Sequence, residues 1–467
     1  MVRATRGETS PALEDFGAVV KLVQAKPNLA KLREPVVVTL RSATTIFDNR
    51  GELDAAIETM GHEKTLEPAP ATSFFQRLAG VFERRAKQYA DEADRATGAD
   101  KVKAVQNNRD ALARAGAAYV AVAQRSTVAD DATYAESLWK GIDCYDRAGD
   151  APAAVSALEL FIAERPDDSL APDALLRLGR TYQAAGLYDK AISTFQHNQL
   201  RYPNSLAASK SGVPLAQAYM AKGPESYPRA EQVLRAVIDN NPLLTPESAE
   251  FRQAVFELGQ LFYRTNRYEE AIARLEEFTT RYPEDPRRAQ VAFVKADAYR
   301  KSAAGIGERL AAIETGKLDS DPNGKAVDRV ELVMSRKDRL RKARELFQSV
   351  VDQFDGELPT AEIDHLYLKL AHFYRADCLF DLTQYEESIK LYDVAARRYQ
   401  NDPSALAAYV QIVNAYVALN KPDEARAANE RAKWMLNRIP PDAFAAAGTL
   451  NMISKQAWTQ WLGFTGE

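Results

Sequence analysis

The sequence predicts an all-α protein, an α-solenoid built from antiparallel helix pairs. Three observations predict it. First, residues 172–203 (PDALLRLGRTYQAAGLYDKAISTFQHNQLRYP) and 252–283 (RQAVFELGQLFYRTNRYEEAIARLEEFTTRYP) repeat one pattern over one length, and internal repetition at such a period marks stacked helical units. Second, small and large apolar residues recur at helical spacing. Leu175, Leu178, Gly179 and Tyr182 fall at i, i+3, i+4 and i+7, with Arg177 and Arg180 off that stripe. Third, Pro166, Pro203, Pro242, Pro283 and Pro403 each follow a second helix, where a residue without an N–H ends the pair.

The elements follow in order. Residues 1–70 form a divergent N-terminal segment, mixed or helical, with helical stretches around 12–25 and 51–60 and an apolar run VVVTL at 36–40. Residues 71–130 read as a long helical pair (72–95 and 100–126), a degenerate leading repeat. From 131 to 437 the array is aligned by the small residue opening each second helix: Ala154, Ala191, Ala230, Ala271, Ala343, Ser388 and Ala425. These give about seven units, spaced 37, 39, 41, 72, 45 and 37 residues apart. The long step contains an insertion at about 301–340 with Gly305, Gly307, Gly316 and DPNG at 321–324. Such breakers predict a short helix (308–315) plus a loop, either functional or disordered. Ser205 and Asp402 stand ahead of first helices as N-capping residues. Residues 441–463 are expected to form a C-terminal capping helix, because an uncapped solenoid end exposes its core.

The landmarks themselves are specific. Gly179 and Gly259 are followed three residues on by Tyr182 and Phe262, then by Tyr188 to Ile192 and Tyr268 to Ile272, and each unit closes on Arg-Tyr-Pro. This order resembles the tetratricopeptide repeat over roughly residues 131–437. The resemblance implies a right-handed superhelix in which successive first helices line a concave groove. The Arg-Tyr-Pro endings at Arg201–Ser205 and Arg281–Asp285 are similar to those of bacterial envelope-assembly repeat proteins, the Tol-Pal coordination proteins among them. Repeats that clamp chaperone C-termini use Lys followed four residues later by Asn. Here Lys140 is followed by Cys144, so chaperone-tail recognition is not expected.

Composition narrows the function classes. With 61 basic against 65 acidic residues the net charge is −4, so no global field favours nucleic acid or an anionic membrane. No window approaches a membrane span, and MVRATRGETSPALEDFGAVVKLVQ contains no apolar run long enough for a signal peptide. The expected location is cytoplasmic as written, or periplasmic or envelope if a leader has been removed. Cys144 and Cys378 belong to different units and are not expected to pair. No HExxH, CxxC, GxSxG or phosphate-binding loop is present, so no catalytic residue, cofactor or metal is assigned and the protein is expected not to be an enzyme. His365 and His372 share a helix face but lie seven apart, beyond the usual reach of one ion, and His372 occupies a packing position. The basic run RKDRLRKAR at 336–344 reads as a solvated helix face.

The groove is the remaining candidate. Counting from the aligned small residues, its lining positions are Gln253, Phe256, Gln260 and Tyr263, then Gln290, Phe293, Asp297 and Arg300, then Leu370, Phe373, Asp377 and Phe380. Aromatic area with a few polar groups suits a bound peptide; packing between neighbouring repeats suits the same aromatics equally. The expected function is a non-enzymatic scaffold that holds a partner peptide or helix within a multiprotein assembly. The alternatives are the repeat portion of a larger enzyme or regulator, and an envelope-biogenesis component. The sequence leaves the oligomeric state open.

Overall fold

The computed structural model describes residues 1–126, 131–315, 328–356, 358–444 and 453–464. Among these every regular element is helical. The chain divides into two compact units, Met1–Lys222 and Gly223–Glu467.

The first unit opens with α1 (Val2–Arg6), α2 (Thr9–Ala25), α3 (Arg33–Asn49) and α4 (Leu53–Leu66). The 36–40 run lies inside α3, so the N-terminal segment is helical throughout its regular elements. These helices share a core of Phe16, Val20, Leu40, Phe47, Met60 and Phe74. Glu63 is fully buried at its edge, where Arg41 Nε (2.7 Å) and Arg77 NH2 (2.9 Å) donate to its carboxylate. Two guanidinium groups thus satisfy a carboxylate taken out of water. Next come the long α5 (Thr72–Arg95) and α6 (Gly98–Ala123), then α7 (Asp131–Ala148), α8 (Ala151–Glu164), α9 (Ala171–Ala184), α10 (Tyr188–Arg201), α11 (Leu206–Lys210) and α12 (Gly212–Lys222).

The second unit holds α13 (Tyr227–Asp239), α14 (Ala249–Arg264), α15 (Tyr268–Arg281), α16 (Arg288–Glu314), α17 (Arg329–Gln353), α18 (Glu362–Asp381), α19 (Tyr385–Arg398), α20 (Ser404–Ala418), α21 (Pro422–Arg438) and α22 (Lys455–Phe464). Consecutive helices pack pairwise in both units, so each is a solenoid segment of antiparallel helix pairs.

Two recurrent devices make the pairs. Inside a pair, Gly179 and Gly259 let the second helix approach: a Cβ at these positions would lie 2.3 Å from Phe195 and 2.7 Å from Leu275. Between the two helices, one residue adopts the left-handed conformation: Gly149, Gly186, Asn266, Thr383 and Asn420, with φ between 58° and 73°. The residue after each of these donates to a carbonyl five positions back in the first helix, as in Leu187 N to Tyr182 O (2.9 Å) and Arg267 N to Phe262 O (2.9 Å). This Schellman closure satisfies carbonyls that the ending helix would leave open.

Between pairs, Asp168, Asp285 and Asp402 each accept from the backbone N–H two residues on, at 2.9, 2.9 and 2.8 Å, and so start the next first helix. Ser205 does the same through Ala207 N at 3.2 Å. The tyrosine of Arg-Tyr-Pro ties each pair to the turn before it. Tyr282 Oη donates to Pro246 O at 2.6 Å, and Tyr202 Oη donates to Pro166 O, each reaching 36 residues back. The ring thereby seals the edge of the pair.

The insertion differs from its expected form. The stretch at 308–315 is the continuation of α16, which runs unbroken through Gly305 and Gly307 to Glu314, and α17 begins at Arg329. Within the described residues two long packed helices, α16 and α17, stand in place of the short helix. At Gly307 a Cβ would sit 3.2 Å from Arg336 Nε, a tight approach to the end of a flexible side chain. Residues 316–327, DPNG among them, lie outside the described residues. At the C-terminus, Trp458 and Leu462 of α22 are buried against the core of α20 and α21, while 445–452 of the expected capping stretch lie outside the described residues.

Candidate functional site

Helices α14, α16 and α18 are the first helices of three successive pairs, and α16 packs against both of the others. All twelve expected groove positions fall on these three helices. Their rings are largely buried. Phe256 packs at 5.7 Å from Phe278 with the Arg287 guanidinium 4.5 Å above it. Phe293 stacks on Tyr367 (4.2 Å, 10°) and meets Phe347 edge-on. Phe373 lies beside Tyr399, and Phe380 meets Tyr385 at 5.2 Å. Leu370 packs, partly buried, against the core that contains Phe256 and Phe293. Gln253, Gln260, Gln290 and Tyr263 are half-buried.

The polar positions near the end of α14, in the middle of α16 and toward the end of α18 converge. Tyr263 Oη donates to Asp297 and accepts from Lys301 Nζ at 2.8 Å. Arg300 Nε donates to Asp297 Oδ1 at 2.8 Å, and its guanidinium lies 4.2 Å over the Tyr374 ring. Asp377 accepts from Tyr392 Oη at 2.5 Å. The structure thus gathers Tyr263, Asp297, Arg300 and Asp377 around Tyr374. Gln253 stands apart: it accepts from Arg287 NH1 at 2.5 Å and donates to Glu257 at 2.8 Å.

Burial sets the electrostatics of this cluster. Desolvation lifts the Asp377 carboxyl to about 6 against the Tyr392 hydrogen bond and the Arg300 charge, which both pull it down. Burial also pushes the Tyr374 phenol up to about 12. For Arg300 burial works against the charge, but the Asp297 carboxylate wins and holds the guanidinium ionised. Opposite charges are matched within the cluster, so the face offers directed hydrogen bonds and aromatic edges rather than a strong field.

Sequence spacing does not point to Tyr374, Tyr367, Lys301 or Tyr392. Tyr374 adjoins the counted position Phe373, and Tyr392 belongs to a second helix, so a four-position count on first helices passes over both. Arg287 precedes its helix and escapes for the same reason.

The other sequence candidates are placed as follows. His365 is exposed and His372 buried; His372 Nδ1 faces Arg375 NH2 at 3.1 Å. Since guanidinium can only donate, Nδ1 accepts and Nε2 carries the proton. Burial first, then the charges of Arg375 and Arg398, lower the imidazole to about 4. Among the described residues no group of three or more His, Cys, Asp or Glu is arranged to hold a metal ion, and no helix is long and apolar enough to cross a membrane. Within the basic run, Arg339 pairs with Glu269 (3.0 Å), Lys342 with Asp338 (3.1 Å) and Arg336 lies 3.9 Å from Asp381. Both cysteines are buried free thiols, and burial pushes the thiol of Cys144 up to about 12.

Comparison with known proteins identifies the repeat. Residues 214–286, 256–303 and 336–405 match one tetratricopeptide repeat family, and 173–205 match a second. No curated protein matches the chain. Among solved structures, it is similar to the C-terminal part of a repeat-containing protein from Cytophaga hutchinsonii (14% identity, TM-score 0.39, covering 69% of this chain and 96% of that one). It is also similar to a tetratricopeptide repeat protein from Parabacteroides merdae (12%, TM-score 0.37, 64% and 93%) and to the MamA protein (18%, TM-score 0.33, 49% and 97%). The helix pairs, their glycine contacts and their Tyr-Pro edges are those of a chain that carries tetratricopeptide repeats.

Proposed function

We propose that the protein is a non-enzymatic scaffold that holds an extended or helical segment of a partner protein along the face formed by α14, α16 and α18. The observation that carries this reading is the convergence of Tyr263, Asp297, Arg300 and Tyr374 from three successive first helices. Their fixed hydrogen bonds hold aromatic edges and polar groups in place before a partner arrives, which lowers the ordering cost of binding. Half-buried Gln253, Gln260 and Gln290 add amides able to pair with a peptide backbone. Tetratricopeptide repeats are in general protein-interaction modules, and the family match supports this reading.

The test is site-specific photo-crosslinking. Benzoylphenylalanine placed at Gln260 is expected to form adducts with the partner, whereas the same group at Ala273, exposed on the second helix α15, forms none. Equal adducts at both positions, or adducts only at Ala273, overturn the reading.

A further inference from the structure

The basic run at 336–344 divides between two sides of α17. Arg336, Arg339 and Lys342 turn toward the carboxylates of Asp381, Glu269 and Asp338. Lys337, Arg341 and Arg344 are exposed, and none of them pairs with a carboxylate among the described residues. Two apolar residues continue their line toward the start of the helix, Met334 (59% exposed) and Val330 (72% exposed). Val330, Met334, Lys337, Arg341 and Arg344 follow at steps of four, three, four and three residues. On an α-helix that spacing confines them to a strip about 80° wide and about 21 Å long.

The strip takes no part in the core. Leu340, Ala343, Phe347 and Val350, the buried residues of α17, lie on another side of the helix. Charge along the strip is one-sided. Glu345 flanks Arg341 and Arg344 and offsets one of the three positive charges. Asp338 is taken by Lys342 (3.1 Å), and Asp352, past the end of the strip, accepts from Gln348 (2.7 Å). Glu331 stands in the first turn, about 9 Å along the axis from Lys337, near a Debye length away. Two positive charges are left over beside two exposed apolar side chains. Alternating steps of four and three are the spacing that keeps a line of side chains facing a second helix. A nucleic acid would leave Val330 and Met334 unused and finds no aromatic in the strip to stack on. Two apolar residues are also too few for a helix that lies in a membrane interface.

We propose that the exposed strip of α17 is a second docking surface, which takes an acidic amphipathic helix of a partner protein laid along it. Apolar residues of that helix cover Val330 and Met334, and its carboxylates, set at the same spacing, pair with Lys337, Arg341 and Arg344. The apolar end supplies buried area, and the matched charges select the partner and fix its register. The strip is separate from the face of α14, α16 and α18 and stands whether or not that face binds.

Fluorescence polarisation of labelled helical peptides on the full chain tests it. The probe is an alanine–glutamine helix carrying Leu, Leu, Glu, Glu and Glu at the spacing of the strip. One control carries Lys in place of each Glu, and another has the same composition with its Glu residues spread around the helix. Each is made in both sequence orders, so that parallel and antiparallel approaches are sampled. The probe is expected to bind about tenfold more tightly than either control, because three exposed charge pairs each add a modest attraction. The combined variant Lys337→Glu, Arg341→Glu and Arg344→Glu should reverse the preference between Glu and Lys peptides, and Met334→Asp should weaken the probe. All four positions are exposed, and circular dichroism verifies the fold. Arg431→Glu, exposed on α21, should leave the probe unaffected. Equal affinity for the probe and either control overturns the proposal, as does a preference that survives the combined variant. A labelled oligothymidine bound more tightly than the probe, and lost in that variant, would make the strip a nucleic-acid contact instead. Concentration-dependent dimerisation abolished by the same variant would also overturn it, by making the occupant a second copy of the chain.

Discussion

At the scale of single residues, two positions translate directly into measurable stability. Gly179 has the Phe195 ring where its Cβ would be, at 2.3 Å, and Phe195 is fully buried. Gly179→Ala therefore forces a rigid ring aside, costing about 1–3 kcal/mol, while helix propensity returns about 1 kcal/mol. The expected net is a loss of up to about 2 kcal/mol in chemical denaturation. Gly259→Ala should cost less, because Leu275, 2.7 Å away, can change rotamer. The second position is a pair of buried ionisable groups with opposite pH behaviour. His372 falls from 6.5 to about 4 in the fold. Its contribution is fully present above pH 6.5 and is lost as pH falls toward 4. Asp377 rises from 3.8 to about 6, so its ionisation costs stability above pH 6, and that cost fades as pH falls toward 3.8. Each is worth on the order of 3 kcal/mol at most. The two slopes oppose one another between pH 4 and 6. Asp377→Asn, which keeps an acceptor for Tyr392, should raise stability at pH 7 and expose a steeper acid loss. His372→Gln should remove that loss. Melting temperatures of the two variants across this range decide it, and parallel profiles for both would contradict the assignment.

At the scale of elements, the edge tyrosines provide the sharpest comparison. Tyr282→Phe removes the bond to Pro246 O and leaves a partly buried carbonyl unpaired, at a cost of about 0.5–1.5 kcal/mol. Tyr399→Phe removes only a bond to the exposed Arg398 side chain and should cost less, although both tyrosines occupy the same place in their pairs. Equal losses would mean that the Tyr399 edge is sealed after all. The contrast marks the limit of what spacing can show. The paired helices, the 72–95 and 100–126 pair and the glycine contacts follow from spacing alone, because periodicity reports which face is buried. Spacing carries no record of which partner a ring finds. Phe256, Phe293 and Phe373 fall on the expected helices, but their rings face neighbouring helices. The polar cluster needs Tyr374 and Tyr392, one beside a counted position and one brought in by the next helix. For α16 and α17, Gly305 and Gly307 predict a break because glycine is a poor helix former. The helix nevertheless runs through both glycines, held by its packing against α17.

At the scale of the whole molecule, the array is a chain of neighbour contacts, and its stability should be a sum of local terms. Each compact unit contains its own buried core. Phe16, Leu40, Phe47, Met60 and Phe74 serve Met1–Lys222, and Phe251, Leu275, Phe278, Phe293 and Phe347 serve Gly223–Glu467. The boundary falls at Gly223, whose φ of 121° favours glycine and which lies outside both flanking helices. A chain cut there loses no helix. Residues 223–467 expressed alone should therefore fold cooperatively, with helical circular dichroism and a single denaturation transition. The fragment retains the capping contact of Trp458 on the core of α20 and α21. Trp458→Ala in that fragment opens the end of the stack, and a fully buried aromatic ring there is worth about 3–5 kcal/mol. The C-terminal pair should then unfold first: hydrogen exchange would accelerate in α20 and α21 while α14 and α15 keep their protection. Uniform acceleration along the fragment would instead mean that the pairs unfold as one block, and that nearest-neighbour accounting fails for this array.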